Sequence, residues 1–265
     1  MKLCIYHGNC ADGFAAAWVV RRFWQQSTFD EVEFFPANYG DVPPDVTGKD
    51  VVIVDFSYPR GVLMEMEWEA EKLLVIDHHK TAREALTGLD FVKFDMEKSG
   101  AILAWRNFFS SEPPVLLHYI QDRDLWTWSM PDSRAVSAAI ASYPYDFSVW
   151  DNLMKRPIPE LVIEGESILR YQGQVVRRHL ENVVMIEMDG YAVPCVNATT
   201  MISEIGNELC QGHPFAVSYF DTAEKRVFSL RSAGDGVDMA EIAKKHGGGG
   251  HKHAAGFTAG SPEIF

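Results

Sequence analysis

One tripeptide, Asp77-His78-His79, together with the apolar run that carries it, Lys72-Leu73-Leu74-Val75-Ile76, constrains the chain more than any other stretch. A short aliphatic run that stops at a carboxylate and two imidazoles has the pattern of a buried parallel strand delivering polar groups to its carboxyl end. The pattern recurs. Val51-Val52-Ile53-Val54 runs into Asp55, and Leu3-Cys4-Ile5-Tyr6 runs into His7, with Cys10 and Asp12 close behind. Open α/β sheets bind their ligands at that end of the strands. If the three strands are neighbours, carboxylates and imidazoles converge on one edge, and like charges that close are tolerated only where divalent cations neutralise them. His7, Cys10, Asp12, Asp55, Asp77 and the adjacent imidazoles of His78 and His79 are therefore candidate metal ligands.

Between the strands the pattern turns helical. Residues 12–24 read as a helix opening directly after the first strand with Asp12 near its cap, which sets backbone N–H groups and a positive helix end beside an anion. A short strand at Phe34 and an amphipathic helix over 59–71 follow. Such alternation predicts βαβ crossovers and a doubly wound parallel sheet. Beyond the tripeptide, 91–94 reads as a strand, Ser99-Gly100-Ala101 opens a helix, and Pro113-Pro114 starts another that runs to Gln121 and ends in Asp122-Arg123-Asp124. Asp122 closes that apolar helix and is a further candidate ligand, preferred there, with Asp124 as its substitute. Residues 146–182 lack strand signals and read as helical. From Val183 onward, strands at 183–188, 191–195, 215–220 and 226–231, an Asp189-Gly190 hairpin turn, and helices near 201–211 and 238–245 make a smaller mixed α/β unit. The expected organisation is a metal-binding domain over 1–150, a helical linker over 151–182 and a second domain over 183–265. Asn197-Ala198-Thr199 either caps the helix of 201–211 or contacts a ligand.

The stretch from Gly247 to Phe257, GGGGHKHAAGF, is a second signal. Four consecutive glycines cost backbone entropy in any ordinary element, so a loop is expected here, one whose N–H groups and bare Cα positions approach a ligand closely. Taken with His7-Gly-Asn-Cys-Ala-Asp12-Gly13, Val54-Asp55, Asp77-His78-His79 and Gln121-Asp122-Arg123-Asp124, it resembles, over nearly the whole chain and in the same order, the DHH phosphoesterases with a DHHA1 domain. That group holds oligoribonucleases, cyclic-dinucleotide phosphodiesterases and RecJ-like exonucleases.

The resemblance implies a DHH catalytic domain joined by a helical linker to a DHHA1 substrate-binding domain. It implies two divalent cations, Mn²⁺ first, with Mg²⁺ or another transition metal as alternatives, bridged by Asp55 and held by Asp77 and His78. Asp55, Asp77, His78 and His79 would form the catalytic set, with His79 nearer the substrate phosphate. Arg231, Gly248, Gly249, Gly250 and His251 would grip the far end of the substrate. One departure stands out: most members carry Asp-x-Asp where this chain has Cys10-Ala11-Asp12, so Cys10 is either a soft ligand or a small buried filler.

The net charge is −13, and its excess acid is concentrated in residues 1–150, where 22 Asp and Glu face 13 Lys and Arg. A long basic track for polynucleotides is missing, which points to a small substrate held by metals and a few local donors. The implied activity is hydrolysis of short oligonucleotides or dinucleotides to nucleoside monophosphates. RecJ-like digestion of single strands, or a nucleotide sensor without catalysis, stand as alternatives. No run approaches the roughly 20 apolar residues of a membrane helix. No secretory leader is recognised, and the four scattered cysteines suit reduced thiols, so a cytoplasmic protein is expected. Trp105, Trp126, Trp128 and Trp150 serve either a homodimer face or the core, the core being preferred.

Overall fold

The structure, a computed structural model, describes residues 1–26, 31–234 and 236–260; the last five residues of the expected second domain lie outside it. The chain divides into two compact units, Met1–Leu169 and Arg170–Phe265.

In the first unit, β1 (Lys2–His7), α1 (Ala11–Trp24), β2 (Val32–Ala37), β3 (Asp50–Val54), α2 (Arg60–Glu69), β4 (Lys72–Asp77), α3 (Lys80–Leu86) and β5 (Val92–Phe94) alternate along the chain. Then come α4 (Gly100–Phe108), α5 (Val115–Asp124), α6 (Ser133–Ile140), α7 (Phe147–Leu153) and α8 (Ile158–Leu180), the last continuing into the second unit. The five strands form one parallel sheet in the order β2-β1-β3-β4-β5. Successive side chains of a strand point to opposite faces, and both faces here are apolar. Cys4, Val52, Val54 and Ile76 pack with Phe14, Trp18, Trp105 and Trp150 on one side. Leu3, Ile5, Ile53 and Val75 pack with Phe56, Leu63 and Leu86 on the other. The near-continuous apolar runs of the sequence are thus explained: the central strands β1, β3 and β4 are covered on both faces, as a doubly wound sheet requires. Trp105 and Trp150 are core residues, while Trp126 and Trp128 are half-buried.

In the second unit, β6 (Val184–Met188), β7 (Tyr191–Asn197), α9 (Ile202–Leu209), β8 (Ala216–Asp221), β9 (Lys225–Arg231), α10 (Met239–Lys245), β10 (Gly249–His251) and β11 (Ala254–Gly260) follow α8. Their mixed sheet has the order β10-β11-β9-β8-β7-β6, in which only β7 and β8 run parallel. Asp189 (φ 50°) and Gly190 (φ 83°) turn the β6–β7 hairpin, as the Asp-Gly pair predicts.

The glycine run departs from expectation. Only its first half is a turn; Gly249 and Gly250 enter β10 and pair with Gly256 and Ala255 of β11. The reason is crowding of backbone on backbone: a Cβ at Gly248 would lie 2.0 Å from the Gly256 oxygen, and one at Gly250 (φ 142°) 2.6 Å from the Ala254 oxygen. Asn197 ends β7 instead of capping α9, whose N-cap is Met201 at φ 52°. Among the described residues, no helix is long and apolar enough to cross a membrane.

Candidate metal centre

In the order β2-β1-β3 the chain leaves β1 to one side and returns on the other, so β1 and β3 flank the topological switch point where such sheets bind ligands beyond their carboxyl ends. His7 is the last residue of β1, Asp55 follows β3, and Asp77 ends β4, with His78 and His79 next. Asp55 sits at φ 55°, a left-handed conformation that bulky L-residues avoid and that active sites tolerate. Its N–H still donates to the Ile76 oxygen at 2.9 Å, so the carboxylate is turned into the site while the backbone remains in the sheet's hydrogen-bond network.

Two glycines make the room. A Cβ at Gly100, the first residue of α4, would stand 2.5 Å from the Asp55 Cβ and 2.8 Å from its Oδ1. One at Gly13 would stand 2.3 Å from the His7 oxygen, so α1 can begin this close to the end of β1 only with glycine there.

Within the first unit, three groups of side chains place one ligand atom each within 4.8 Å of one another: His7, Cys10 and Asp55; Asp55, Asp77 and His79; and Asp12, His78 and Asp124. Asp55 belongs to two of them and touches the third, since the His78 Nε2 lies 3.0 Å from its Oδ1. His78 Nε2 is also 3.5 Å from Asp124 Oδ2, and His7 Nδ1 is 3.5 Å from Asp55 Oδ2. Asp77 Oδ1 accepts from the N–H groups of His78 (2.7 Å) and His79 (3.2 Å) and meets His79 Nδ1 at 2.7 Å. Asp12 Oδ1 accepts from the Ala101 N–H at 3.2 Å, which ties α1 to the opening of α4.

What remains is diagnostic. Asp12, Asp55, Asp77 and Asp124 each leave Oδ2 buried without a hydrogen bond. An unsatisfied buried acceptor costs about 1–3 kcal/mol, more when charged, and four in one pocket are not a by-product of packing. The local potential agrees. Burial raises the Asp12 carboxyl well above its usual range and the charges of Asp55 and Asp124 raise it further. For His78, burial works to lower the pKa, yet the hydrogen bond to Asp55 and the charge of Asp124 outweigh it and lift it to about 10. The acids around His78 thus hold it protonated, and although burial works to raise Asp55 and Asp77, the imidazoles of His7, His78 and His79 in turn hold them below the usual carboxylate range. Carboxylate oxygens with imidazole nitrogens are donors that suit Mn²⁺ and, less well, Mg²⁺. The residues fit a divalent cation.

Of the expected ligands the structure brings together His7, Cys10, Asp12, Asp55, Asp77 and His78, and places His79 in the same pocket. Asp122 is a correction. Its Oδ1 accepts from the N–H and Oγ of Ser129, both at 2.8 Å, and from Thr127 Oγ1, while its Oδ2 accepts from the Met130 N–H at 3.2 Å. Those bonds engage the carboxylate in the loop beyond α5, and Asp124, one half-turn of helix onward, faces the pocket in its place. Of the residues expected to grip substrate, Gly248, Gly249, Gly250 and His251 lie at and along β10 of the second unit. Arg231, at the end of β9, directs its guanidinium to Ser203 Oγ and to the Leu230 oxygen, both at 2.9 Å, and lays its stem over Gly206. Tyr39 went unnoticed in the sequence; half exposed after β2, its ring meets His7 and His79 edge-on at 5.8 and 5.9 Å. A lone tyrosine between Asn38 and Gly40 carries no signal of that contact.

A parallel sheet of this order, with acids and imidazoles gathered beyond β1, β3 and β4, has the arrangement of a DHH-like phosphoesterase. The chain belongs to one family with uncharacterized protein R106 of Acanthamoeba polyphaga mimivirus, to which it is 30% identical over 97% of its own length and 67% of that protein's. It is also similar to oligoribonuclease NrnB of Bacillus subtilis (strain 168), at 29% identity over 73% of this chain and 54% of the relative, so it spans about half the length of that protein. Among solved structures it shares its fold with the pGpG-specific phosphodiesterase PggH from Vibrio cholerae, at a TM-score of 0.51 and 13% identity, covering 98% of this chain and 94% of the other. No family model matches the chain.

Proposed function

We propose that the protein is a divalent-metal-dependent phosphodiesterase that hydrolyses short oligonucleotides or dinucleotides to nucleoside monophosphates. The observation that carries this is the set of four buried carboxylate oxygens, on Asp12, Asp55, Asp77 and Asp124, that no donor of the described protein satisfies. The likeness to an oligoribonuclease over 73% of the chain supports the substrate class, as does a net charge of −13, which disfavours long polyanions.

Asp55, central to the three groups, would bridge two ions. His7, Cys10, Asp77 and His79 would complete one side, and Asp12, His78 and Asp124 the other. When bound, the ions supply polarisation of the phosphoryl oxygens and a water acidified for in-line attack. The protein's own contribution is positional. Asp77 Oδ1 fixes the ring of His79 through Nδ1, which orients Nε2 and sets its tautomer as a carboxylate does for a metal-bound or proton-donating imidazole. The second unit would act as a DHHA1-type substrate-binding domain, with the side-chain-free backbone of Gly248, Gly249 and Gly250, the His251 ring and Arg231 holding the remote part of the substrate; the Gly248 N–H itself donates to the Ala243 oxygen at 2.8 Å. Binding at a distance from the reacting phosphate lowers the entropic part of the barrier.

Mn²⁺-dependent release of mononucleotide from a dinucleotide tests the proposal, with pyrophosphate and a single strand of about 24 nucleotides assayed alongside. Activity confined to the single strand would favour RecJ-like exonucleolysis. Cys10, standing where relatives by resemblance carry a carboxylate, favours the second reading, a nucleotide sensor. Binding of a dinucleotide without hydrolysis under any of Mn²⁺, Mg²⁺, Zn²⁺ or Fe²⁺ would decide for it.

A further inference from the structure

The segment between α5 and α6 carries more structure than a connection needs. Asp122 ties it down through the four bonds described above, and its own carbonyl accepts from the Thr127 N–H at 3.0 Å. Within seven residues, Trp126 (φ 58°), Trp128 (φ 51°) and Asp132 (φ 55°) are all left-handed. Each such residue costs about 1–3 kcal/mol and persists only where its surroundings over-determine it, typically at ligand clamps. What this strain produces is a pair of half-buried indoles, 5.0 Å apart and inclined at 72°. The Arg123 guanidinium lies 4.4 Å over Trp126, and that of Arg134 lies 4.2 Å over Trp128.

Beside the indoles opens a cleft of about 330 Å³, lined by Trp128, Met130, Asp132, Arg134 and Glu166 among others. That volume falls in the range of small-ligand sites. Trp128 Nε1 itself is buried without a hydrogen-bond partner. The Asp132 carboxylate, although at the N-cap of α6, makes no capping bond. Two acids on the wall oppose a phosphate. Arginines already stacked on both indoles fill the place an organic cation would take. A neutral, planar, aromatic ligand is not repelled by the acids, and it can continue the stack by lying on the flat guanidinium of Arg134.

We infer that this cleft is a nucleobase subsite, in which a base extends the stack that Trp128 and the Arg134 guanidinium begin, and its N–H groups donate to Glu166 or Asp132. The inference rests on the phosphodiesterase reading and names its missing element, recognition of the base next to the reacting phosphate. The covalent path supports the placement. Asp124 enters the metal pocket and Trp128 follows four residues later, so their Cα atoms lie within about 14 Å of each other by chain length alone.

The test compares a dinucleotide with the same molecule lacking one base, using the Mn²⁺-loaded full chain. The wild type should favour the intact substrate in kcat/KM by about tenfold or more, the stacking range for one base. Trp128→Ala should remove most of that preference, Trp128→Phe should keep most of it, and Glu166→Gln should reduce it with an unchanged melting temperature. Should both Trp128→Ala and Glu166→Gln retain the wild-type preference, the subsite is wrong even if hydrolysis proceeds. Calorimetric titration of the metal-free protein with guanosine and adenosine monophosphates separates the two ideas. If no dinucleotide is cleaved, about tenfold weaker binding by Trp128→Ala upholds the subsite without the chemistry, and equal binding overturns it.

Discussion

The two sheets of this protein both depend on glycine, to opposite ends. In the first unit, Gly13 and Gly100 withhold a Cβ where it would strike His7 and Asp55, and the space goes to functional side chains. In the second, Gly248, Gly250 and Gly256 withhold one where it would strike strand backbone, and the space goes to β10, β11 and β9 themselves. Their polar groups divide the same way. The first unit buries carboxylate oxygens unsatisfied at the carboxyl end of a parallel sheet, whereas the second pairs acids near its surface, Asp221 with Arg226 at 2.6 Å and Asp189 with His246 at 2.9 Å. A parallel sheet gathers the ends of several strands at one edge, so it can accumulate charge that only a bound cation relieves. In a mostly antiparallel sheet adjacent strand ends point in opposite directions, and charge is settled locally.

The largest break in that contrast is Asp77→Ala. Loss of a group that orients His79 and faces the cation pocket should remove several kcal/mol of transition-state stabilisation, a fall of about 10³-fold or more in kcat/KM. Circular dichroism should stay native, since the bonds that the variant deletes are confined to the two residues after β4; dinucleotide turnover within tenfold of wild type would sink the metal-centre assignment.

Matched glycine variants sharpen the comparison next. Gly100→Ala forces Asp55 aside, and because an ångström-scale misplacement costs about 10²-fold, activity and metal affinity should drop together. Gly256→Ala places a Cβ 2.8 Å from the Phe228 oxygen and should destabilise the second unit by about 1–3 kcal/mol as overpacking does, leaving metal affinity unmoved. Calorimetric Mn²⁺ titration beside thermal melting reads both, and crossed effects would erase the distinction between the two uses of glycine.

A similar opposition exists within the first unit, at two acids of α5. Asp122→Ala should lower stability by about 1.5–3 kcal/mol for each strong bond to the charged carboxylate that is not replaced, with metal affinity little changed. Asp124→Ala should instead weaken the metal by about 100-fold or more, since even groups behind the ligands are worth 10–100-fold. Denaturant melts and metal titrations of both variants separate anchor from ligand.

The pocket's charge predicts a pH dependence of the first unit. His78 titrates near 6.5 in the unfolded chain and at about 10 in the fold. Its protonated form therefore contributes stability that is fully present below about pH 6.5 and is lost as pH rises through 10. The melting temperature of metal-free protein should fall between pH 7 and 10, and Mn²⁺ affinity should rise with pH over the same window as the cation displaces that proton. A metal-free protein whose stability is flat from pH 7 to 10 would contradict the hold of the surrounding acids on the His78 proton.

Much of this centre was legible because strand-borne residues obey simple rules. An aliphatic run ending in Asp55 or Asp77 gives both the strand and the end at which its polar group emerges, and the doubly wound sheet follows from the alternation of such runs with helices. Choices that turn on one or two residues of helix were not legible. Asp122 and Asp124 both close α5, and only the loop folding back through Thr127, Ser129 and Met130 decides which carboxylate is engaged there. The glycine run misled because entropy argues for a loop, while close approach of two strands argues equally for glycine. Tyr39 and the left-handed tryptophans are tertiary facts with no local signature.

The smallest expected effect, and the most informative about metal choice, is at Cys10. Its thiol shares a pocket with His7 and Asp55; burial and then the Asp55 charge raise its pKa, against the hydrogen bond from His7. It is therefore protonated at neutral pH unless a soft cation draws the proton off. Cys10→Asp would install a hard, anionic donor and should move kcat/KM by about tenfold or less while raising activity with Mg²⁺ relative to Mn²⁺. Cys10 is also the N-cap of α1 without a side-chain capping bond, and Asp is a good cap, worth about 0.5–2 kcal/mol, so a gain in stability must be kept apart from a gain in chemistry. Cys10→Ser supplies the control: it can cap α1 equally well but adds no charge, and it should raise the melting temperature without changing the Mg²⁺ to Mn²⁺ ratio. If Ser and Asp shift that ratio alike, the residue at position 10 acts through the helix and not through the cation.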